Sequence, residues 1–113
     1  MTEITGLTLA PKQSLTLILL DGTQVPFYME YIDGQQGWFY SITYGNWGST
    51  YRRMVVSGNM LRGFRNIIPF GLGCMTSDGY EPIMINDFAN NRASLFLLDS
   101  TDVLAIESIL NVN

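Results

Sequence analysis

Short runs of alternating apolar and polar residues, cut at close intervals by turn residues, constrain this chain more than any other feature. Residues 14–20 (SLTLILL) run straight into Asp21-Gly22, a dipeptide favoured in two-residue hairpin loops because it tolerates positive φ. The next run, 23–31, places Val25, Phe27, Met29 and Tyr31 on one face and Gln24, Pro26, Tyr28 and Glu30 on the other. Pro26 has no N–H for a ladder, which predicts an edge strand or a bulge there. Asp33-Gly34 marks a second turn before residues 37–44 (GWFYSITY), where Trp38, Tyr40, Ile42 and Tyr44 share a face. Gly45-Asn46-Trp47-Gly48 then reverses the chain into 49–56, with Arg53 between Tyr51 and Val55 on one face. Strands linked in this way form an antiparallel meander. A slip of one residue would turn Trp38 and Tyr40 outward, so the aromatic face also fixes the register.

Beyond Ser57-Gly58 the alternation loosens. Residues 59–65 read as a helical turn or a strand crossing, and 67–75 as a bent strand punctuated by Pro69, Gly71 and Gly73. Ser77-Asp78-Gly79 is a turn, followed by a loop with Ile83 and Ile85 directed inward; 93–98 (ASLFLL) is the last clear strand. In the tail, Val103, Ile106 and Leu110 recur at helical spacing behind a Thr101 or Asp102 cap, which favours a short helix over a strand. The expected fold is all-β and mainly antiparallel: one domain over 1–113, as a small barrel or a two-layer sandwich. At 113 residues there is enough chain to bury a core without disulfides or a structural metal.

Composition then narrows the function. The single Cys74 forms no internal disulfide and, with no histidine in the chain, no zinc site. With Gly73 and Met75 beside it and no basic neighbour, Cys74 reads as a buried, inert thiol. The absence of histidine removes the usual general base at neutral pH and the Ser-His and Cys-His pairs. Asp78 with Glu81 and Asp99 with Asp102 are the remaining acid pairs; both lie in turn-like sequence, where Asp bonds local backbone. Gly71-Leu72-Gly73 lacks the Lys-Ser/Thr of a phosphate loop and the third glycine of a dinucleotide fingerprint, and reads as backbone geometry in a bend. We therefore expect no enzyme, no cofactor and no metal. A net charge of −4 argues against tight nucleic-acid binding, and no apolar run approaches the length of a membrane helix. The run at 15–20 lacks a signal-peptide cleavage site, so export by that route is not expected.

Charged residues make up 14% of the chain, against about 25% in typical domains. A surface this poor in charge suits a protein that is covered in its working state. Two features point to where. Trp47 lies in turn sequence and could anchor a protein partner or stack on a sugar, with Tyr44 or Tyr51 completing a platform. Arg52, Arg53, Arg62 and Arg65 supply four of the six basic residues. They could pair with the chain's own carboxylates or meet an acidic partner surface.

The order of features resembles one family. A strand pair around Asp21-Gly22 leads to the 27–31 strand, then Trp38 in a strand, a loop with Asn46, and Gly58-Asn59-Met60-Leu61. Pro69-Phe70-Gly71-Leu72, the acid-Pro pair Glu81-Pro82 and the short apolar strand 95–98 follow. Taken together, this resembles the baseplate plug proteins of contractile-tailed bacteriophages. Nearly the whole chain is covered; residues 99–113 match least, and Met60-Leu61 stands where the family often has two leucines. The resemblance implies a structural virion component, made in the host cytoplasm, at the junction of tail tube and hub. Its partners would be the hub and tube proteins and further copies of itself, as a trimer or hexameric ring, with no cofactor. On this reading the interface residues are Trp47, Arg52, Arg53, Arg62, Arg65 and Phe70. The competing reading is a small carbohydrate- or ligand-binding β-module that uses exposed aromatics.

Overall fold

The meander expected from the turn signals is one of two antiparallel sheets. The computed structural model describes residues 1–110, the side chain of Leu110 excepted. Strands β2 (Lys12–Ile18), β3 (Gln24–Ile32), β4 (Gly37–Tyr44) and β5 (Trp47–Arg53) form a four-stranded sheet in that order. Strands β1 (Thr2–Ile4), β6 (Gly71–Thr76) and β7 (Ala93–Leu98) form a second, ordered β1-β7-β6, and α1 (Ser100–Leu110) follows. Of the two expected arrangements the sheets adopt the sandwich-like one; they do not close into a barrel. Val25, Phe27, Met29, Trp38, Tyr40 and Ile42 from the meander meet Leu72, Cys74, Ala93 and Leu95 from the second sheet in one core.

The hairpins differ in detail from the sequence reading. Leu19 and Thr23 are joined by a backbone hydrogen bond, so the first loop has three residues, Leu20-Asp21-Gly22, of which only Gly22 is left-handed. Asp21 instead accepts the Thr23 N–H through its carboxylate at 2.9 Å. Pro26 is not on an edge strand, because β3 lies between β2 and β4. The bonds Leu19–Thr23 and Tyr31–Pro11 turn the odd-numbered residues of β3 toward β2, which leaves position 26 on the β4 side. The β4 ladder starts one residue later, at Phe27 opposite Ile42, so no donor is needed at Pro26.

Trp47 is also not in a turn. The loop is Gly45-Asn46, with positive φ at Gly45 alone as a type II′ turn requires, and Trp47 pairs with Tyr44 as the first residue of β5. Further along β5 the register shifts opposite Ser41, and Tyr51 takes φ 50° while its N–H donates to the Ser41 hydroxyl at 3.1 Å. This bulge separates two neighbouring arginines. Arg52 pairs with the buried Tyr40 and shares its inner face, whereas Arg53 pairs with Phe39 on the outer face.

From β5 the chain crosses to the second sheet. Ser57 and Cys74 exchange backbone hydrogen bonds at 2.9 Å, and Arg62–Phe64 forms a short 3-10 turn. Ile83 and Ile85 do not point inward; they are 44% and 39% exposed, while Pro82, Asp87 and Phe88 are the buried residues of that loop. The helix forms, but its cap is Asp99: its carboxylate accepts the Asp102 N–H at 2.8 Å and Asp102 returns the bond to the Asp99 N–H at 3.2 Å. Val103 and Ile106 are half-buried as the spacing implied; Leu110, the third member of that stripe, lies outside the described side chains.

Candidate protein interface

Two of the six expected interface residues, Trp47 and Arg52, contact one ring outside that set, Phe64, and two more adjoin it in sequence. Trp47 meets it edge-on with centroids 5.0 Å apart, and the Arg52 guanidinium lies 5.0 Å from its centroid. Arg62 and Arg65 flank it in sequence on the 3-10 turn. Trp47 and Phe64 are half-buried and Arg52 is exposed. The backbone explains the cluster: the Tyr51 bulge rotates Arg52 onto the inner face, and the crossing segment brings Phe64 up beside Trp47.

Arg62 and Arg65 are tied to the chain's own acid. Arg62 donates from Nε and Nη2 to both oxygens of Glu107 at 2.9 Å, and Arg65 Nε lies 3.5 Å from the same carboxylate. These bonds fasten α1 to the 3-10 turn and raise the Arg62 pKa above its ordinary value. Such pairs, partly open to water, contribute little to stability; they tie both guanidinium groups to the Glu107 carboxylate.

The other two residues lie elsewhere. Arg53 donates from Nη2 to the carbonyls of Gln35 and Gln36 at 2.9 and 3.1 Å and sits 5.2 Å from the Phe39 centroid. It braces the loop in which Gln36 is left-handed, and its side chain fills the space beside Gly37, where a Cβ would come within 2.8 Å of it. Phe70 is buried, packed on Tyr44 at 5.5 Å, and contributes nothing to the surface of the isolated chain. The sugar platform is divided as well. Tyr44 and Trp47 share the inner face and are engaged by Phe70 and Phe64, whereas Tyr51 stands on the outer face. There its hydroxyl and that of Tyr28 donate to Glu30 Oε1 at 3.3 and 2.9 Å. Desolvation, followed by the Glu30 carboxylate, pushes the Tyr28 phenol up to about 12.

The residues weighed for catalysis have structural occupations. Asp78 accepts the Tyr80 N–H at 3.1 Å and pairs with Arg92 at 3.0 Å; these contacts, the backbone one first, hold its carboxyl below the usual range. Glu81 accepts the Val56 N–H at 2.7 Å. Asp99 and Asp102 form the helix cap, and Asp102 also pairs with the Met1 amine at 2.8 Å. Burial pushes the Cys74 thiol up to about 12. The two glycines beside it answer close approaches: a Cβ on Gly71 would lie 2.6 Å from Asn59 Oδ1, and one on Gly73 3.1 Å from the Gly58 carbonyl. Among the described residues no three His, Cys, Asp or Glu side chains are grouped to hold a metal ion.

One surface went unread in the sequence. Tyr80, Ile83, Met84 and Ile85 are exposed at 74%, 44%, 56% and 39%. Their backbone is held firmly: Tyr31 donates from its hydroxyl to the Ile83 carbonyl at 2.6 Å and Trp38 from Nε1 to the Met84 carbonyl at 3.2 Å. The buried Asp87 accepts the Met84 N–H at 2.9 Å and pairs with Arg92 at 2.9 Å. With the polar backbone turned inward, the apolar side chains face out. Three consecutive apolar residues hemmed in by Pro82 and Asn86-Asp87 were the available signal. No protein-family model matches this sequence, and no curated protein matches it either.

Proposed function

We propose that this chain is a structural component of a contractile phage tail baseplate, set in the virion where the tail tube meets the hub and acting through protein–protein contacts. The observation that carries the reading is the Phe64-centred surface. Trp and Arg dominate the energetics of protein interfaces, and here Trp47 and Arg52 both contact one half-buried ring, with Arg62 and Arg65 beside it in sequence, in a chain of net charge −4. The order of motifs supports it too, because the two longest segments of the resemblance rest on each other. Asn59 of Gly58-Asn59-Met60-Leu61 accepts the Leu72 N–H at 3.1 Å, and Gly71 of Pro69-Phe70-Gly71-Leu72 lies tight against the Asn59 amide.

The bulge supplies an internal control for the test. Arg52→Glu reverses charge on the Phe64 surface, while Arg53→Glu does so on the opposite face of the same strand. Folded Arg52→Glu protein should be lost from purified tails and Arg53→Glu retained. Tails of normal composition carrying Arg52→Glu would refute this surface as the interface.

A further inference from the structure

The sandwich is covered along one sheet edge and open along another. At the outer edge of β6 the crossing segment supplies bonding partners: Ser57 and Cys74 exchange bonds, and the Met60 N–H donates to the Leu72 carbonyl at 2.7 Å. The outer edge of β2 has no such cover. The bonds Leu19–Thr23 and Tyr31–Pro11 make the odd-numbered positions of β2 the ones that bond β3. The N–H and C=O groups of Ser14, Thr16 and Ile18 therefore turn outward. Across from them, β1 pairs with β7 alone. Between the two edges lies a groove of 230 Å³ lined by residues 2–5 and 15–18. It shares Thr2, Ile18 and Leu97 with a cleft of 190 Å³ at the hairpin end, walled by Leu19, Leu20, Pro69 and Leu98. In this wall Leu20 is 87% and Ile18 54% exposed.

We infer that this groove receives an extended peptide segment of a partner protein, one in which a large apolar residue is flanked by lysine or arginine. The backbone sets the conformation of the occupant: only an extended chain presents donors and acceptors at the spacing of Ser14, Thr16 and Ile18, the mode of an added β-strand. The cleft sets its anchor. A dry cavity of about 150 Å³ admits a benzene ring, so this one takes a single aromatic or branched aliphatic side chain. Charge sets the flanks. Glu3, Asp21, Asp99 and Asp102 line the two concavities, and no lysine or arginine does. The Met1 amine offsets Asp102, and Asp99 and Asp102 each spend an oxygen on the helix cap. Glu3 and Asp21 remain, with no cationic partner among the described residues. An acidic segment is repelled from such a groove and a basic one drawn to it. The groove uses no residue of the Phe64 surface, and the inference holds whether or not the chain belongs to a tail.

A displayed library of short random peptides is selected on the purified full chain, and the enriched sequences are synthesised for binding measurements. They should share one large apolar residue with lysine or arginine beside it. Leu20 is exposed enough to be changed without disturbing the core, and Leu20→Glu should weaken their binding roughly tenfold. Asp21→Asn keeps an oxygen for the Thr23 N–H but loses the charge, and should weaken binding roughly threefold. Amide hydrogen exchange reads the backbone contact separately: Thr16 and Ile18 should exchange rapidly in the free chain and slowly with peptide bound. A selection that enriches nothing would overturn the inference. So would enriched peptides without basic residues, peptides bound equally well by both variants, or Thr16 and Ile18 amides that exchange as fast with peptide as without.

Discussion

The four-stranded meander and the segment that follows it, residues 54–92, are held together by different means. The meander relies on many apolar contacts between side chains that alternate along each strand; Val25, Phe27, Met29, Trp38, Tyr40 and Ile42 are all buried. The segment 54–92 supplies β6 and core residues such as Met54, Leu61, Phe70 and Phe88, but its irregular stretches are tied by a few buried polar side chains. Asn59 Oδ1 accepts the N–H groups of both Leu61 and Leu72, at 3.0 and 3.1 Å. Asp87 joins Arg92 to the Met84 backbone, and Arg92 reaches on to Asp78 and the Tyr80 and Glu81 carbonyls. An apolar core spreads the effect of a change over neighbours that can relax, whereas a buried polar group leaves its partners unpaired when it is removed. The irregular stretches of this segment therefore depend on fewer residues than the sheet does.

The contrast can be broken by substitution. Phe27→Ala should cost about 4 kcal/mol in chemical denaturation, the usual figure for emptying a large buried aromatic site. Asp87→Ala should come next at about 3 kcal/mol, since it strands the Met84 N–H and removes one of the two carboxylates on Arg92. If the crossing segment were merely draped over the core, Asp87→Ala would change stability by less than the roughly 0.5 kcal/mol of an ordinary surface substitution. Asn59→Ala should cost about 2 kcal/mol for its two stranded backbone donors, and hydrogen exchange should speed up at Leu61 and Leu72 before the meander amides respond. A unit that opens as a whole, with meander amides exchanging in step, would remove the distinction between the regions.

The smallest effect is that of pH. Asp21 is held below its ordinary value of 3.8 by the Thr23 N–H, and Asp78 by the Tyr80 N–H and then Arg92. A carboxyl whose folded pKa lies below the unfolded one stabilises fully above the unfolded value, and that contribution is lost as pH falls through the folded value. The melting temperature should stay level above the carboxylate range and decline below about 3.8. Asp78→Asn should shallow that decline, and the decline should loosen the Arg92 loop sooner than the meander. An unchanged acid limb would show that the Arg92–Asp78 contact carries no stability.

What could be read in advance follows the same division. Alternation and turn residues are local signals, so β3, β4, β7 and the inward aromatic face were all legible. β1 was not, because its three residues become a strand only by pairing with β7, about ninety positions away. The Tyr51 bulge was hidden too, since nothing in its neighbours demands positive φ at a tyrosine; that one residue sent Arg52 and Arg53 to opposite faces. Ile83 and Ile85 are expected inward but face out, because the loop's orientation is decided by distant donors to its carbonyls, Tyr31 and Trp38. At the candidate interface, the arginines and Trp47 stand out by residue type, and the Phe64 ring that Trp47 and Arg52 contact could be found only in three dimensions. Phe70, named among the interface residues on the resemblance, packs on Tyr44 in the core.

The proposal that this chain works by assembling with tail proteins is tested most directly by mass. The purified protein is measured by light scattering alone and then mixed with candidate tail tube and hub proteins from the same genome. A stable complex of fixed stoichiometry with at least one of them is predicted, and Arg52→Glu should abolish it. Light-scattering profiles equal to the sum of the separate components in both mixtures would contradict the account.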